Sequence, residues 1–205
     1  MTITLYRARF STNVERVALT LALKGLNDVE SVWISYDDRS VVERVSGQPL
    51  VPVLDYDGEI LVESMDIVRE LDRRHPEPRL YPPDRDAEIA AFVDWFNGTW
   101  KVAPNRIEDE LGKEAPDQEL IAELERSMIV SLDRFEHMLA DRDYLLGDTL
   151  TAADICAFPF LKFSSVHDPA DDELFHLILR DRQRDGRNRP RLAAWVNSVD
   201  SLPRV

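Results

Sequence analysis

Apolar residues recur along this chain at two different periods, and the change from one to the other divides it. Ile3-Thr4-Leu5-Tyr6 alternates and reads as a strand. Val14, Val17, Ala18 and Leu21 follow, the i, i+3, i+4, i+7 stripe of a helix that Gly25 is placed to end. Residues 29–36 are rich in β-formers and read as a second strand, and a short helix covers roughly residues 40–45. Residues 53–56 and 59–62 flank Asp57-Gly58, a pair that supplies the positive φ angles of a tight turn, so they form a hairpin. Ser64 is expected to cap a helix running through Ile67, Val68 and Leu71 to about Arg74. Strands joined by a helix should be parallel and hairpin strands antiparallel, which predicts a mixed four-stranded sheet.

Residues 75–83 then hold four prolines in nine positions. Proline removes backbone donors and disfavours helix in the residue before it, so a linker is expected. Everything beyond reads as helix, over residues 87–100, 117–139, 151–163, 172–184 and 191–199. Thr151 and Asp154 stand at the spacing of a reciprocal capping box, with Leu150 and Ile155 spaced as its staple. The division is an α/β module over residues 1–77, a linker over 78–85 and an all-helical domain over 86–205.

Composition narrows the function classes. With 205 residues, 44% hydrophobic and 31% charged, the chain is too apolar for disorder and long enough for two cores. No apolar run reaches the length of a membrane span, and Met1-Thr2 leads straight into the first strand, so a cytoplasmic protein is expected. Cys156 is the only cysteine; it excludes an intramolecular disulfide and argues against a disulfide oxidoreductase. A net charge of −14 repels nucleic acid and anionic membranes. Against that background the first 27 residues carry Arg7, Arg9, Arg16 and Lys24 but only Glu15, a local excess able to draw in an anion if it lines a cleft. Residues 180–191, where Arg alternates with Asp, Gln and Asn, read as a solvated helix end and loop. His167, Asp168, Asp171, Asp172 and His176 follow no metal-ligand spacing, and no metal is expected.

Three local features carry chemistry: Phe10-Ser11-Thr12-Asn13-Val14-Glu15-Arg16-Val17, polar residues opening a helix; Val51-Pro52 before the third strand; and Glu63-Ser64 before the third helix. With Leu50-Val51-Pro52-Val53-Leu54, with Leu146-Gly147-Asp148-Thr149-Leu150-Thr151-Ala152-Ala153-Asp154-Ile155 and with Pro190-Arg191-Leu192-Ala193-Ala194-Trp195, the chain resembles the cytosolic glutathione transferase superfamily over essentially its whole length. Its first motif is similar to that of the serine-type, phi-like classes.

The resemblance implies a thioredoxin-like N-terminal domain, an all-helical C-terminal domain, glutathione as co-substrate, an apolar electrophile and a homodimer. It implies that Ser11 holds a thiolate, that the Val51 backbone beside a cis Pro52 pairs with a peptide-like ligand, and that Ser64 and Glu63 meet its carboxylate and ammonium. Phe10 and Trp100 would line the pocket of the apolar co-substrate. Phi-like members often carry glutamine where Leu50 stands, and a basic pair where Asp37-Asp38 precede Arg39; Arg39 would substitute for that pair.

The chemistry is reasonable on its own terms. A thiol of pKa about 8.5 is only a few per cent ionised at neutral pH. A hydrogen bond to a charged group is worth roughly 1.5–3 kcal/mol and one pKa unit about 1.4, so a Ser11 hydroxyl would lower a thiol pKa by about one to two units. The plainer alternatives are a helix-capping Ser11, a trans proline starting an edge strand, and an ordinary cap at Glu63-Ser64. For the whole molecule the alternative is a non-catalytic binding or scaffold protein on the same fold.

Overall fold

The computed structural model describes residues 1–184 and 188–205 and divides into two compact units, Met1–Pro83 with Leu202–Val205, and Asp84–Ser201.

The first unit contains β1 (Ile3–Arg7), α1 (Thr12–Leu23), β2 (Glu30–Trp33), α2 (Ser40–Ser46), β3 (Val53–Tyr56), β4 (Glu59–Leu61) and α3 (Ser64–Arg74). The sheet order is β2-β1-β3-β4, with β1 parallel to β2 and the other two pairings antiparallel, the mixed sheet that the connections predict. Alternation along β1 places Ile3 and Leu5 on one face. There they meet Val14, Val17 and Leu21 of α1 and Ile67 and Leu71 of α3. The opposite face is covered around α2, where Val42 packs with Ile34 and Val53. Helix α1 closes on Gly25 at φ 71°, with Leu26 N–H donating to Leu21 O at 2.9 Å and Gly25 N–H to Ala22 O at 3.0 Å. These are the two bonds of a Schellman stop. Asp57 and Gly58 carry φ angles of 54° and 87°, as the hairpin requires.

The proline-rich segment is held to the sheet unit. The Asp72 carboxylate accepts from the N–H groups of Leu80 at 2.8 Å and Tyr81 at 3.1 Å. Lys24 pairs with Asp72 at 2.5 Å and also donates to the Pro78 carbonyl. One of the four early cations is thereby committed to structure.

The second unit contains α4 (Asp86–Trp95), a π-helical turn (Phe96–Trp100), α5 (Val102–Leu111), α6 (Gln118–Met138), α7 (Ala152–Leu161), a 3-10 turn (Lys162–Ser164), α8 (Leu174–Gln183) and α9 (Pro190–Asp200). Helix α7 is buried on every side, as its apolar composition demands. Its capping box is formed: Thr151 Oγ1 accepts from Ala153 N–H at 3.3 Å, and Asp154 Oδ2 accepts from Thr151 N–H at 2.9 Å. Asp154 Oδ1 accepts in addition from Leu145 N–H and Trp195 Nε1, each at 2.9 Å, which ties α9 to the same carboxylate. Cys156 is buried within α7. No helix among the described residues is long and apolar enough to cross a membrane.

Four expectations are corrected. Ser64 is not the cap of α3: Glu63 holds that position at φ 62° without a side-chain cap bond, and Ser64 is the first helical residue. The second strand spans four residues, because the chain leaves the sheet after Trp33 and turns through residues 34–39. Third, residues 102–111, between two expected helices, form α5, with Pro104 in its first turn. Finally, the basic stretch over residues 180–191 is not wholly solvated. Arg189 is largely buried and pairs with Asp133 at 3.0 Å. The part of the stretch over residues 185–187 lies outside the described residues.

Candidate functional site

Strand register brings three chain segments to one end of the sheet. Tyr6 lies opposite Val53, so β1 runs out beside the chain that enters β3, and Leu54 lies opposite Leu61, so β4 leaves at that same end. The loop after β1 carries Phe10 and Ser11, the loop before β3 carries Val51 and Pro52, and the exit of β4 carries Glu63 and Ser64.

Ser11 is the N-cap of α1, and its hydroxyl oxygen accepts a long bond from Val14 N–H at 3.4 Å. Capping uses one lone pair and leaves the hydroxyl hydrogen to be donated elsewhere. The side chain is partly exposed, and the first N–H groups of α1 point past it. Phe10 just before it adopts φ 62°, a left-handed conformation that side-chain-bearing residues rarely adopt. Glu63 has the same φ of 62° at the mouth of α3. Both helix entrances are thus set by residues held in an uncommon backbone region.

Polar contacts lock these loops together. The Arg9 guanidinium lies 4.6 Å over the Phe10 ring. Tyr36 Oη donates to the Arg9 carbonyl at 3.2 Å. Arg39 Nε donates to the Tyr36 carbonyl at 3.4 Å, and its guanidinium reaches the Pro49 carbonyl at 3.0 Å. Arg39 is therefore seated on the loop that leads to Pro52. In that loop the Gln48 side chain donates to the Leu50 carbonyl at 3.0 Å and accepts from Leu50 N–H at 2.5 Å. Both Leu50 backbone groups are satisfied, while its side chain stands 60% exposed. The Val51–Pro52 peptide is cis.

Arg16, part of the motif that opens α1, links the first and third segments. Its side chain is 1% exposed; one guanidinium nitrogen donates to Asn13 Oδ1 and to Ser64 Oγ, each at 3.1 Å. A buried cation thus joins the first turn of α1 to the first residue of α3. No local signal marked this role, because Arg16 stands off the stripe of Val14, Val17, Ala18 and Leu21, on the side of a helix where a charge ordinarily faces solvent.

Asp37 and Asp38 are exposed on the turn before α2. Hydrogen bonds from the Ser40 side chain and backbone hold the Asp38 carboxyl below its usual range. Arg7, half-buried at the end of β1, is pushed down by desolvation.

The structure places Phe10, Ser11, Val51, Pro52, Glu63 and Ser64 on these three joined segments, with Arg39 on the turn before α2 and bonded to the second of them. Trp100 belongs to the helical unit. It is 5% exposed, stacks on Phe96 at 4.6 Å and donates from Nε1 to Ser131 Oγ at 2.8 Å. His176 bonds Asp171 at 2.9 Å, and among the described residues no group of three or more His, Cys, Asp or Glu is arranged to hold a metal ion.

Residues 5–79 match the glutathione S-transferase N-terminal domain, and residues 104–203 match the glutathione S-transferase C-terminal domain. Glutathione S-transferase L3 of Arabidopsis thaliana is 27% identical over 205 residues, which cover 96% of this chain and 77% of that protein. Glutathione S-transferase hmp2 of Hypomyces subiculosus is 30% identical over 174 residues, 78% of this chain and 81% of the relative. Among solved structures, a glutathione S-transferase from Rhodospirillum rubrum F11 has a TM-score of 0.73 at 27% identity, covering 98% of this chain and 88% of its own. The β-etherase LigF of Sphingobium sp. strain SYK-6 shares the fold at a TM-score of 0.76 and 23% identity, over 98% of this chain and 96% of its own.

Proposed function

Because this chain belongs to the cytosolic glutathione transferase superfamily, we propose that it binds glutathione at the three joined segments and activates its thiol for attack on an electrophile. One observation carries the reading: Ser11 caps α1 through a lone pair, so its hydroxyl hydrogen remains available to a sulfur at the helix mouth. In the proposed reaction the thiol loses its proton to solvent, the thiolate forms a carbon–sulfur bond, and a halide or alkoxide departs with the electron pair of the broken bond. Ser11 donates throughout and forms no covalent bond. The Val51 backbone pairs with the ligand's extended peptide portion beside Pro52. The ligand's carboxylate meets the start of α3 at Ser64, which the buried Arg16 cation supports, and Glu63 faces its ammonium. Arg39 is the cation offered to the second carboxylate. Phe10 presents an aromatic face to an apolar co-substrate. The proposal extends to a homodimer in the cytoplasm.

Ser11→Ala tests the reading. The pKa of the bound thiol, followed by thiolate ultraviolet absorbance, should rise by about one to two units. Turnover of an electrophilic aryl halide at neutral pH should fall roughly ten- to one-hundredfold in step with it. Loss of the cap alone costs about 0.5–2 kcal/mol of stability. A lower melting temperature with an unchanged thiol pKa would therefore leave Ser11 a structural cap and nothing more.

A second reading, a non-catalytic binding protein, is favoured by the exposed Leu50 and by the acidic Asp37-Asp38. It is the better account if a glutathione column retains the protein while neither an aryl halide nor a β-aryl ether is turned over. The ether belongs in that test because the relative LigF is a β-etherase.

A further inference from the structure

The last four residues belong to the α/β unit and close over the strand and helix that lead to and from Ser11. The Val205 side chain packs on the core beneath α1, and its N–H lies 3.4 Å from the Ala18 carbonyl. Arg7, at the end of β1, donates to the Val205 carbonyl at 2.8 Å. Seated this way, the segment presents Arg204 to α1. Its guanidinium bonds Glu15 Oε1 at 3.0 Å and the Leu202 carbonyl at 2.5 Å. The pair is mostly shielded, with Glu15 14% and Arg204 23% exposed.

Glu15 occupies a sensitive place. It lies one turn beyond Ser11, and its N–H donates to the Ser11 carbonyl at 3.0 Å. Side chains four apart share a helix face, so Glu15 stands on the Ser11 side of α1, one turn in. A negative charge there draws on the same positive end of α1 that a bound thiolate would use, and it repels the thiolate directly.

We propose that Arg204 is a positioning residue for the thiolate site: its guanidinium neutralises the Glu15 carboxylate, leaving the N-terminus of α1 free to stabilise the sulfur anion at Ser11. The inference rests on the thiol reading of Ser11. The other charged groups on the segments around that helix mouth include Arg7 and Arg9 on β1 and its exit, Arg16 on α1 itself, Asp37, Asp38 and Arg39 on the 36–39 turn, and Glu63 and Asp66 at the start of α3. Arg9 lies over Phe10, Arg16 bonds Ser64, and Arg39 bonds the Pro49 carbonyl. Arg204 bonds the Glu15 carboxylate directly.

The test is a pH titration of thiolate absorbance with glutathione bound, run on the full chain and on Arg204→Ala, Arg204→Lys, Glu15→Gln and the double variant Arg204→Ala/Glu15→Gln. Arg204→Ala should raise the bound thiol pKa by about half a unit to one unit. Arg204→Lys should keep it near the parent value. The double variant should return to the parent value, because the charge that Arg204 offsets is gone. A structural anchor would behave differently: Arg204→Ala would lower the melting temperature without moving the titration, and Glu15→Gln would rescue nothing. Either result overturns the proposal. If the parent protein itself shows no thiolate below the range of free glutathione, the reading of Ser11 fails and this inference goes with it. A parent that ionises the thiol beside an unresponsive Arg204→Ala defeats the inference alone.

Discussion

Asp154 is a single side chain on which four donors converge, two on each oxygen: Leu145 N–H and Trp195 Nε1 on one, Thr151 N–H and Oγ1 on the other. Complete burial nevertheless pushes its carboxyl above the usual range, so desolvation outweighs the four hydrogen bonds. Asp154→Asn relieves the buried charge but turns an NH2 group towards two donors. Each buried donor left unpaired costs about 1–3 kcal/mol, so a net loss of roughly 2–4 kcal/mol is expected in urea unfolding. Unchanged stability would mean that the carboxyl is already protonated and loosely held. Half of this arrangement is legible from sequence, because Thr151 and Asp154 are three positions apart and local geometry pairs them. The Trp195 bond spans forty-one positions and no local pattern reports it. Arg16 and Arg204 escaped the sequence reading for the same reason: their partners Ser64 and Glu15 lie far along the chain.

Elements are legible wherever backbone preference and burial agree. In the β3–β4 hairpin, Asp57-Gly58 fixes the turn, and Asp55 Oδ1 also accepts from Gly58 N–H at 2.8 Å. Gly58→Ala places a Cβ at φ 87°, and a loss of about 1 kcal/mol in chemical denaturation should follow; no loss would mean that the turn relaxes to another type. Where preference and context compete, the sequence is less legible. The helix expected over residues 87–100 does run through Gly98, its last part as a π-helical turn, but the chain then continues straight into α5 across Pro104, which the pattern does not predict. The aromatic stack of Phe96, Trp100, Phe135 and Phe160 provides the packing that favours this continuation. Helix α3 shows a charge device of its own. Hydrogen bonds from Arg73 and then Arg74 pull the Glu70 carboxyl down to about 2, and Arg74 reaches on to Glu59 of β4 at 2.5 Å. A depressed carboxyl contributes stability that is complete above its ordinary value near 4.5 and is lost as pH falls through about 2. Unfolding measured across that window should show a shallower acid slope in Glu70→Gln than in the parent chain. Parallel slopes would mean that the arginines leave the carboxyl untouched.

At the scale of the molecule, the net charge of −14 is unequally shared. The α/β unit carries 11 basic against 14 acidic residues, so most of the excess negative charge lies in the helical unit. Length, proline content and periodicity made two units legible. They did not reveal that residues 202–205 return to the first, a placement decided by the apolar Val205 finding the core beneath α1. Ligand approach depends on how far the charge of each unit reaches. At about 0.01 M salt the Debye length is roughly 30 Å, so an incoming anion feels the whole chain; at 0.15 M it is about 8 Å, and only Arg9, Arg16, Arg39 and their neighbours are felt. Glutathione is anionic at neutral pH, so its association rate, measured by stopped-flow fluorescence, should rise as salt is added over this range. Above 0.15 M the local cations are screened in turn, and the rate should level or fall. A rate that falls from the lowest salt onward would show that the basic cluster at the helix mouths already outweighs the acidic surface, and the overall charge would then have no part in steering this ligand.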